Sequence, residues 1–361
     1  MPFWRNGLRT SAGSVAGRDA MSRIATVRVV PYDLPLKRPW RMAGAEVASR
    51  PGWLVVVETS DGLRGFGDYV LPPTQRIAAD EAAELRRLAE ALAGSDLAEA
   101  CARLVVGTPS AWAVECAVLD ALARSRDMLL CRLLNGAAAV RVAVNAVADV
   151  DGVASAVAAG YDVVKMKVGR RSPKDEAAMV RSLALSPGLR LRLDANRAWS
   201  WDEACLFLDS VAGLPIESLE EPLAEPTLDA LARLQGRTGI DLALDESLPS
   251  LGPQNVIDRT PVRRLVLKAA GLGGLRASHA LAERAKAAGM TCVVTSALDS
   301  AVGVAAAAHL AAAVDVDGRI AQGLSTAEWL ARDVATPFAV KAGWMDLVGS
   351  VGLGVTPDLR I

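Results

Sequence analysis

The pattern of apolar and polar positions changes character twice along the chain. From Ile24 it alternates with a period of two over Thr26 to Tyr32, Trp53 to Thr59 and Leu63 to Tyr69, which predicts three strands. Ser60-Asp61-Gly62 joins the last two, and Asp-Gly is a hairpin signal because the tight turn needs a positive φ. Between the first two, Lys37-Arg38-Pro39-Trp40-Arg41-Met42-Ala43-Gly44 reads as a polar and aromatic loop, a candidate lid with a glycine at which it could move. From Ile77 to about Leu134 the spacing becomes three and four, clearest in Ala111 to Ala123, with breaks near Gly94 and Gly107 to Pro109. Strands followed by helices make an α+β unit, expected over residues 23–138.

The second change falls near Arg141, where short apolar runs begin to alternate with helical segments. The strand candidates are Val142 to Asn145, Val163 to Lys167, Leu191 to Asp194, Ser218 to Glu220, Leu242 to Asp245, Leu265 to Lys268, Cys292 to Thr295 and Ile320 to Gln322. The polar residues closing the second to the seventh run, Lys165, Asp194, Glu220, Asp245, Lys268 and Thr295, follow one another at intervals of 23 to 29 residues. That is the length of one strand-plus-helix repeat and predicts a (β/α) barrel over residues 139–340. A doubly wound open sheet also alternates, but Gly271-Leu272-Gly273-Gly274 does not match its Gly-rich dinucleotide turn. Residues 341–361 are expected to pack back toward the first domain. Residues 1–22 carry Arg5, Arg9 and Arg18 without the apolar run of a secretory signal and are expected to be a disordered extension. Their Arg-rich, acid-poor composition also suits a transit peptide, and Met21 is an alternative start.

Composition narrows the function. The chain has 361 residues, 52% of them hydrophobic, enough for a large core or two domains. A formal charge of −1 with no long run of either sign argues against nucleic acid or an anionic membrane as partner and leaves small-molecule chemistry. Cys101, Cys116, Cys131, Cys205 and Cys292 include no CxxC pair, so neither a disulfide framework nor a zinc site is expected, and a cytoplasmic location is. The apolar window Ala301 to Val314, with His309 inside it, is too short to span a bilayer and reads as a buried helix.

Two like charges then stand out. Val163, Lys165 and Lys167 share a strand parity, so both ammonium groups point to one face. A solvated lysine face on an edge strand is the ordinary explanation. In a barrel, however, Lys165, Lys167, Asp194, Glu220, Asp245 and Lys268 all stand at the C-terminal strand ends, where barrel active sites are built. Each acid alone could be a helix cap; three on successive strands make a hard-oxygen site suited to Mg²⁺. Their charge would compensate the lysines. Mg²⁺ with lysines points to removal of a proton next to a carboxylate. Lysine's usual pKa of about 10.4 is high for a base, and a second lysine two residues away is expected to lower it. Lys268 would enter from the far side of the barrel.

These residues resemble the motifs of the enolase superfamily, muconate lactonizing subgroup, over nearly the whole chain. Lys165-Met166-Lys167 is similar to its KxK, Asp194-Ala195-Asn196-Arg197-Ala198-Trp199 to its DANxxW, Glu220-Glu221-Pro222 to its ExP and Asp245-Glu246-Ser247 to its DES. The resemblance implies an α/β fold with an N-terminal α+β capping domain and a modified TIM barrel, (β/α)7β. It implies Asp194, Glu220 and Asp245 as ligands of Mg²⁺, with Mn²⁺ as an alternative ion; Glu221 is the rival ligand, disfavoured by spacing. Within the subgroup, Thr295 to Gly303 resembles the SSAxE-type segment of o-succinylbenzoate synthases, Gly323-Leu324-Ser325-Thr326 is also similar, and the acidic DxD of dipeptide epimerases is lacking. That implies syn dehydration of a succinyl-hydroxycyclohexadiene carboxylate, a step toward menaquinone. Lys167 would be the base, Lys165 its electrostatic support and Lys268 the group on the opposite face, while Asn196, Ser296, Gly323, Trp40 and Tyr69 would contact substrate. N-succinylamino acid racemase, dipeptide epimerase and muconate cycloisomerase are the enzyme alternatives, and a catalytically silent metal-binding protein the non-enzyme one. Two positions depart from the pattern: Asp68 stands where a glutamate of a GWGE-type motif is usual, and Asp299 replaces a common glutamate. The expected partner is a small-molecule carboxylate, with a homo-oligomer left open.

Overall fold

The computed structural model describes residues 22–42, 45–70, 79–104, 108–183, 188–347 and 351–360. The expected N-terminal extension up to residue 21, Gly44 and the side chain of Trp40 lie outside what is described.

The cap begins with an antiparallel meander, β1 (Ile24–Met42), β2 (Ala45–Thr59) and β3 (Arg64–Val70), in that spatial order. The expected polar loop at Lys37 is instead the far part of a long hairpin. Pairing runs from Ile24↔Thr59 to Pro35↔Ser49, breaks over a bulge, and resumes at Trp40↔Val47. Pro39 falls inside the bulge, where a residue without an N–H removes no ladder bond. Four helices follow: α1 (Ala79–Glu90), α2 (Leu97–Arg103), α3 (Pro109–Ser125) and α4 (Leu130–Leu134). Thr108 caps α3, accepting from Ala111 N, and Pro109 supplies the preformed first turn. Gly65 and Gly67 let β3 lie directly on α3: a Cβ at Gly67 would sit 1.8 Å from the Ala113 carbonyl oxygen.

The chain then enters the barrel. Its seven ordered parallel strands are β5 (Ala146–Val147), β6 (Val163–Lys167), β7 (Arg190–Asp194), β8 (Ile216–Glu220), β9 (Asp241–Leu244), β10 (Arg264–Leu267) and β11 (Thr291–Val294). The connecting helices are α5 (Val153–Ala158), α6 (Pro173–Leu183), α7 (Trp201–Ser210), α8 (Leu228–Gln235), α9 (Leu248–Leu251), α10 (Pro253–Arg259) and α11 (Leu275–Ala287). The expected eighth strand is reduced to parallel bridges, Thr295↔Gly323 on one side and Val144↔Gln322 on the other, which close the ring. The expected first strand is divided. Its beginning, β4 (Arg141–Ala143), pairs antiparallel in a small sheet with β12 (Val340–Lys341) and β13 (Trp344–Asp346), so only Val144 and β5 are left for the barrel. Before that sheet comes α12 (Ala301–Val314), buried along its whole length, with His309 inside it. No helix among the described residues is long and apolar enough to cross a membrane.

The tail from 351 onward packs on the cap. Leu353 N donates to Asp120 Oδ1 at 2.7 Å and Arg124 Nη2 to the Val355 carbonyl at 3.0 Å. Glu115 of α3 accepts from Leu275 N at 2.7 Å and from Arg276 Nε at 2.6 Å, which ties the cap to the start of α11. Below the mouth the barrel interior is filled by charge. Arg192, almost fully buried, meets Glu217 at 2.8 Å, Asn145 at 3.3 Å and the Ala321 carbonyl at 2.5 Å, while Arg264 pairs with Glu217 and Asp241.

Two consequences can be tested. Gly67→Ala forces β3 and α3 apart and should lower stability by about 2 kcal/mol or more, read from urea midpoints. Burial alone would raise the Glu217 pKa, but Arg192 and Arg264 overcome it and hold the carboxyl at about 2, below its ordinary 4.5. Its stabilisation is therefore complete above pH 4.5 and lost as pH falls through about 2. Glu217→Gln should cost about 3 kcal/mol at pH 7 and flatten the acid limb of stability over that interval in urea titrations.

Candidate active site

In-register parallel pairing builds the mouth. Lys167 lies opposite Asp194, and Asp194 opposite Glu220, so the last inward residues of β6, β7 and β8 form one layer. Lys165 sits one layer lower, opposite Arg192. Its side chain is 15% exposed against 28% for Lys167, which places Lys167 nearer the opening. Lys165 Nζ bridges Glu220 Oε2 at 2.6 Å and Asp194 Oδ2 at 2.9 Å. Lys167 Nζ donates to the same Asp194 oxygen at 2.7 Å and to Asn196 Oδ1 at 2.5 Å. Lys268, just past β10, reaches Asp245 Oδ2 at 2.5 Å. Since β6 and β10 are four strands apart in a ring of eight, Lys167 and Lys268 stand on opposite walls.

The turns that leave these strands are unusual. Asn196, Arg197 and Glu221 all have positive φ (45°, 61° and 46°), conformations that non-glycine residues adopt at a cost and that cluster at functional sites. Asn196 N donates to Asp194 Oδ1 at 3.0 Å and Arg197 N to the Glu221 carbonyl at 2.7 Å, so the DAN turn is fastened to its own acid and to the next strand. Asn196 Nδ2 donates to Glu246 at 3.2 Å, which fixes the amide so that its oxygen faces Lys167.

Glu221 is fully engaged: its carboxylate accepts from Asp245 N, Ser247 N and Ser247 Oγ at 2.8, 2.8 and 2.6 Å. It holds the DES turn in place with both of its oxygens engaged. Glu220 differs, since its Oε1 is buried with no hydrogen-bond partner. Oxygens of Glu220, Asp245 and Glu246 lie within 4.8 Å of one another. An orphaned carboxylate oxygen beside two further carboxylates fits a hard divalent cation. The structure thus brings Glu246 into the cluster and turns Asp194 toward the two lysines. With all of them ionised, four carboxylates face three ammonium groups, an excess of one negative charge. A divalent ion would leave one positive charge, which suits an anionic ligand.

The same crowding sets the protonation. Burial would lower the Lys165 pKa, but Glu220, Asp194 and Asp245 together outweigh it and raise it, contrary to the lowering expected from lysine repulsion. Lys268 is also raised: burial opposes, and Asp245 prevails. Burial pushes Asp194 up, yet Lys165 and Lys167 hold it well below the carboxylate range. Glu220 goes the other way, raised by burial beyond what Lys165 can offset.

The remaining expected contacts divide. Ser296 lies at the end of the seventh strand, its hydroxyl 2.7 Å from that of Thr326 and its N–H on the Gly323 carbonyl at 3.1 Å. Ser296, Thr326 and Gly323 thus form a neutral patch of the mouth. Tyr69 is buried in the cap, stacked on Trp53 with centroids 5.7 Å apart, and its strand parity is that of Gly65 and Gly67, which face α3. The structure does not bring it to the lysines. Trp40 pairs with Val47 in the far part of the hairpin.

An α+β cap on a barrel whose mouth sets lysines on opposite walls around a carboxylate cluster is the architecture of the enolase superfamily. Residues 148–361 match the family described as Enolase C-terminal domain-like, and residues 24–135 match the Mandelate racemase / muconate lactonizing enzyme, N-terminal domain. The chain belongs to this family, in the muconate lactonizing subgroup. It is 30% identical over 311 residues to a chloromuconate cycloisomerase from Cupriavidus pinatubonensis, covering 80% of this chain and 84% of that one. Identity to an L-Ala-D/L-Glu epimerase from Bacillus subtilis is also 30%, over 318 residues with the same coverage. A dipeptide epimerase from Enterococcus faecalis, complexed with Mg and the dipeptide L-Leu-L-Tyr, superposes with a TM-score of 0.82 at 23% identity, covering 92% of this chain and 99% of that one.

The two adjacent glutamates should separate in a Mg²⁺ titration followed by calorimetry. Glu220→Gln is expected to weaken Mg²⁺ binding by at least about 10-fold, since the loss of groups that only support a metal ligand already costs about 10–100-fold. Glu221→Gln should leave the affinity within about threefold and instead cost about 1–3 kcal/mol of stability, because three donors lose their carboxylate.

Proposed function

We propose that the protein removes a proton from the carbon next to a carboxylate, with Mg²⁺ held by Glu220 and Asp245 together with Asp194 or Glu246. The observation that carries this reading is the placement of Lys167 and Lys268 on opposite walls of one carboxylate-lined mouth. When bound, the ion would supply positive charge to stabilise the substrate carboxylate on loss of the α-proton. Lys167, nearer the opening, takes the proton. Asp194 and Asn196 accept two of its N–H groups, which directs the lone pair of the neutral amine away from both and toward the substrate. Lys165 lies below and balances the acids. Lys268 faces the other side of the substrate.

Within the subgroup the reading is o-succinylbenzoate synthase, acting on 2-succinyl-6-hydroxy-2,4-cyclohexadiene-1-carboxylate. The C–H bond breaks toward Lys167, its electron pair forms the new ring double bond, the C–O bond breaks, and the Lys167 ammonium returns the proton to the leaving hydroxyl as water. Support comes from the neutral Ser296–Thr326 patch and from Asp299, whose carboxylate turns back to Ala297 N at 3.0 Å. Residues 320–325 carry no acid. That wall suits a substrate without an ammonium group. A second reading, an isomerase of the cycloisomerase or epimerase kind, is favoured by the 30% identity to both enzymes.

Purified protein with Mg²⁺ is expected to produce o-succinylbenzoate absorbance from the cyclohexadiene carboxylate, with Lys167→Ala lowering kcat by about 10²–10⁴-fold. Turnover of a muconate, or deuterium uptake at the α-carbon of a dipeptide or an N-succinylamino acid without dehydratase activity, would replace this reading by the isomerase one.

A further inference from the structure

The two positions that depart from the family pattern, Asp68 and Asp299, are 231 residues apart in sequence and meet in one buried cluster between cap and barrel. The cap side is built by strand parity. Tyr32 on β1, Arg50 on β2 and Asp68 on β3 all face the barrel and are almost fully buried. Tyr32 crosses the meander over Gly52, where a Cβ would lie 2.4 Å from its hydroxyl, and donates to Asp68 Oδ1 at 2.5 Å. The other Asp68 oxygen accepts from Ser300 N at 3.0 Å. Arg50 gives Nε to the Leu298 carbonyl at 3.3 Å and Nη2 to the Ala297 carbonyl at 3.1 Å. Asp299 accepts from Ala297 N at 3.0 Å and stands close enough to Arg50, Asp68 and Lys268 for their charges to act on one another.

The barrel side of this cluster is the turn leaving the seventh strand, between Ser296 and the start of α12. It is a turn that its own sequence would not hold. Leu298 has φ +59°, a left-handed conformation that disfavours a branched, apolar residue. The carbonyls on either side of that strain point into a buried interface, where an unpaired carbonyl would be costly. Arg50 pairs both of them, and Asp68 pairs the N–H of Ser300 at the end of the turn. The space admits little else: a Cβ at Gly303 would be 2.5 Å from Asp68 Oδ2 and 2.6 Å from Asp299 Cβ.

We propose that Arg50, Asp68 and Asp299 are positioning residues for the substrate pocket, so that the cap fixes the shape of the wall carrying Ser296 beside Lys268. None of them touches the carboxylate cluster. The inference rests on the proposed function only in taking that wall as the one against which the substrate lies. The fixed guanidinium fork matters more than its charge, because Nε and Nη2 of one rigid plane bond the two carbonyls at once, a geometry that the point-like ammonium of lysine does not hold.

The test uses Arg50→Met, which keeps the stem and loses both bonds, and Arg50→Lys as the milder variant should the first not fold. Amide hydrogen exchange needs no substrate and reports the wall directly. Exchange over residues 297–303 should quicken at least about tenfold in Arg50→Met, and by less in Arg50→Lys, while segments spanning β6 to β9 keep the rates of the wild type. Mg²⁺ affinity should stay within about threefold. With the cyclohexadiene carboxylate, KM should rise about tenfold while kcat changes less than about threefold, the signature of a lost binding wall. Unchanged exchange at 297–303, an equal rise across β6 to β9, or a loosened wall with unchanged KM would each overturn the proposal. If wild-type protein does not turn over this substrate, the dehydratase reading fails and the exchange comparison alone decides the role of Arg50.

Discussion

Charge compensation at the strand ends is the constraint to which the rest of the molecule answers. An ammonium group taken out of water alone is costly, and so is a carboxylate; the barrel buries several of each by setting a run of acids between lysines. The arrangement is a property of the backbone. Parallel strands paired as Lys167↔Asp194↔Glu220 bring the two acids side by side, and Lys165, one layer lower, bridges them while Lys167 pairs Asp194. A shift of register by one residue would exchange every inward side chain for its apolar neighbour. The apolar outward residues Val164, Met166, Leu191, Leu193 and Leu219 are buried under the helices and therefore hold the charges in register. Catalytic placement and core packing are in this sense one requirement.

A second charged layer lies beneath the first. Arg192 and Arg264 bracket Glu217, and Arg192 also reaches the Ala321 carbonyl in the reduced eighth strand. A hydrophobic core would fill this space as well. The ionic one gives the closure of the barrel a directional anchor, since at residues 322 and 323 the eighth strand is reduced to single bridges on either side.

Much of this was legible before any coordinates. The 23-to-29-residue interval identified the barrel because parallel strands need a helix-length crossover, and the polar residue closing each run marked the mouth. Other features were hidden for definable reasons. Arg192 alternates with leucines and Arg264 follows Arg263 at the start of its strand, so both look like solvent-facing positions; only closure into a ring turns that face inward. Glu246 follows Asp245 directly, and period-two logic sends them to opposite sides. The strand, however, ends at Leu244, and the turn beyond it brings both acids to one cluster. The Lys37 segment is polar enough for a loop, yet it is a ribbon held by cross-strand pairing around a bulge and by Ala331 N on the Pro35 carbonyl at 2.8 Å. Tyr69, expected to contact substrate, shares the strand face of Gly65 and Gly67 that packs on α3, while Asp68 one step before it faces the barrel.

Asp68 and Tyr69 also show how the two domains divide the work. On β3, alternate residues serve opposite neighbours: Gly65, Gly67 and Tyr69 belong to the cap's own core, while Asp68 belongs to the barrel. The cap is thus fixed to the barrel at the seventh-strand turn through Arg50 and Asp68, at α11 through Glu115, and at the tail through Asp120 and Arg124. These anchors are buried charged or polar pairs, whose geometry is directional and whose rupture leaves unpaired groups, so they resist rigid-body rocking of the cap more than an apolar interface of the same size would. Among the described residues the Leu36–Leu330 bridge and the bond from Ala331 N to the Pro35 carbonyl add a further tie between the β1–β2 hairpin and the barrel. The strained turn at Leu298 is tolerated for that reason: the cap residues that pair its carbonyls and the N–H of Ser300 belong to a sheet that is itself held to the barrel at several separate points.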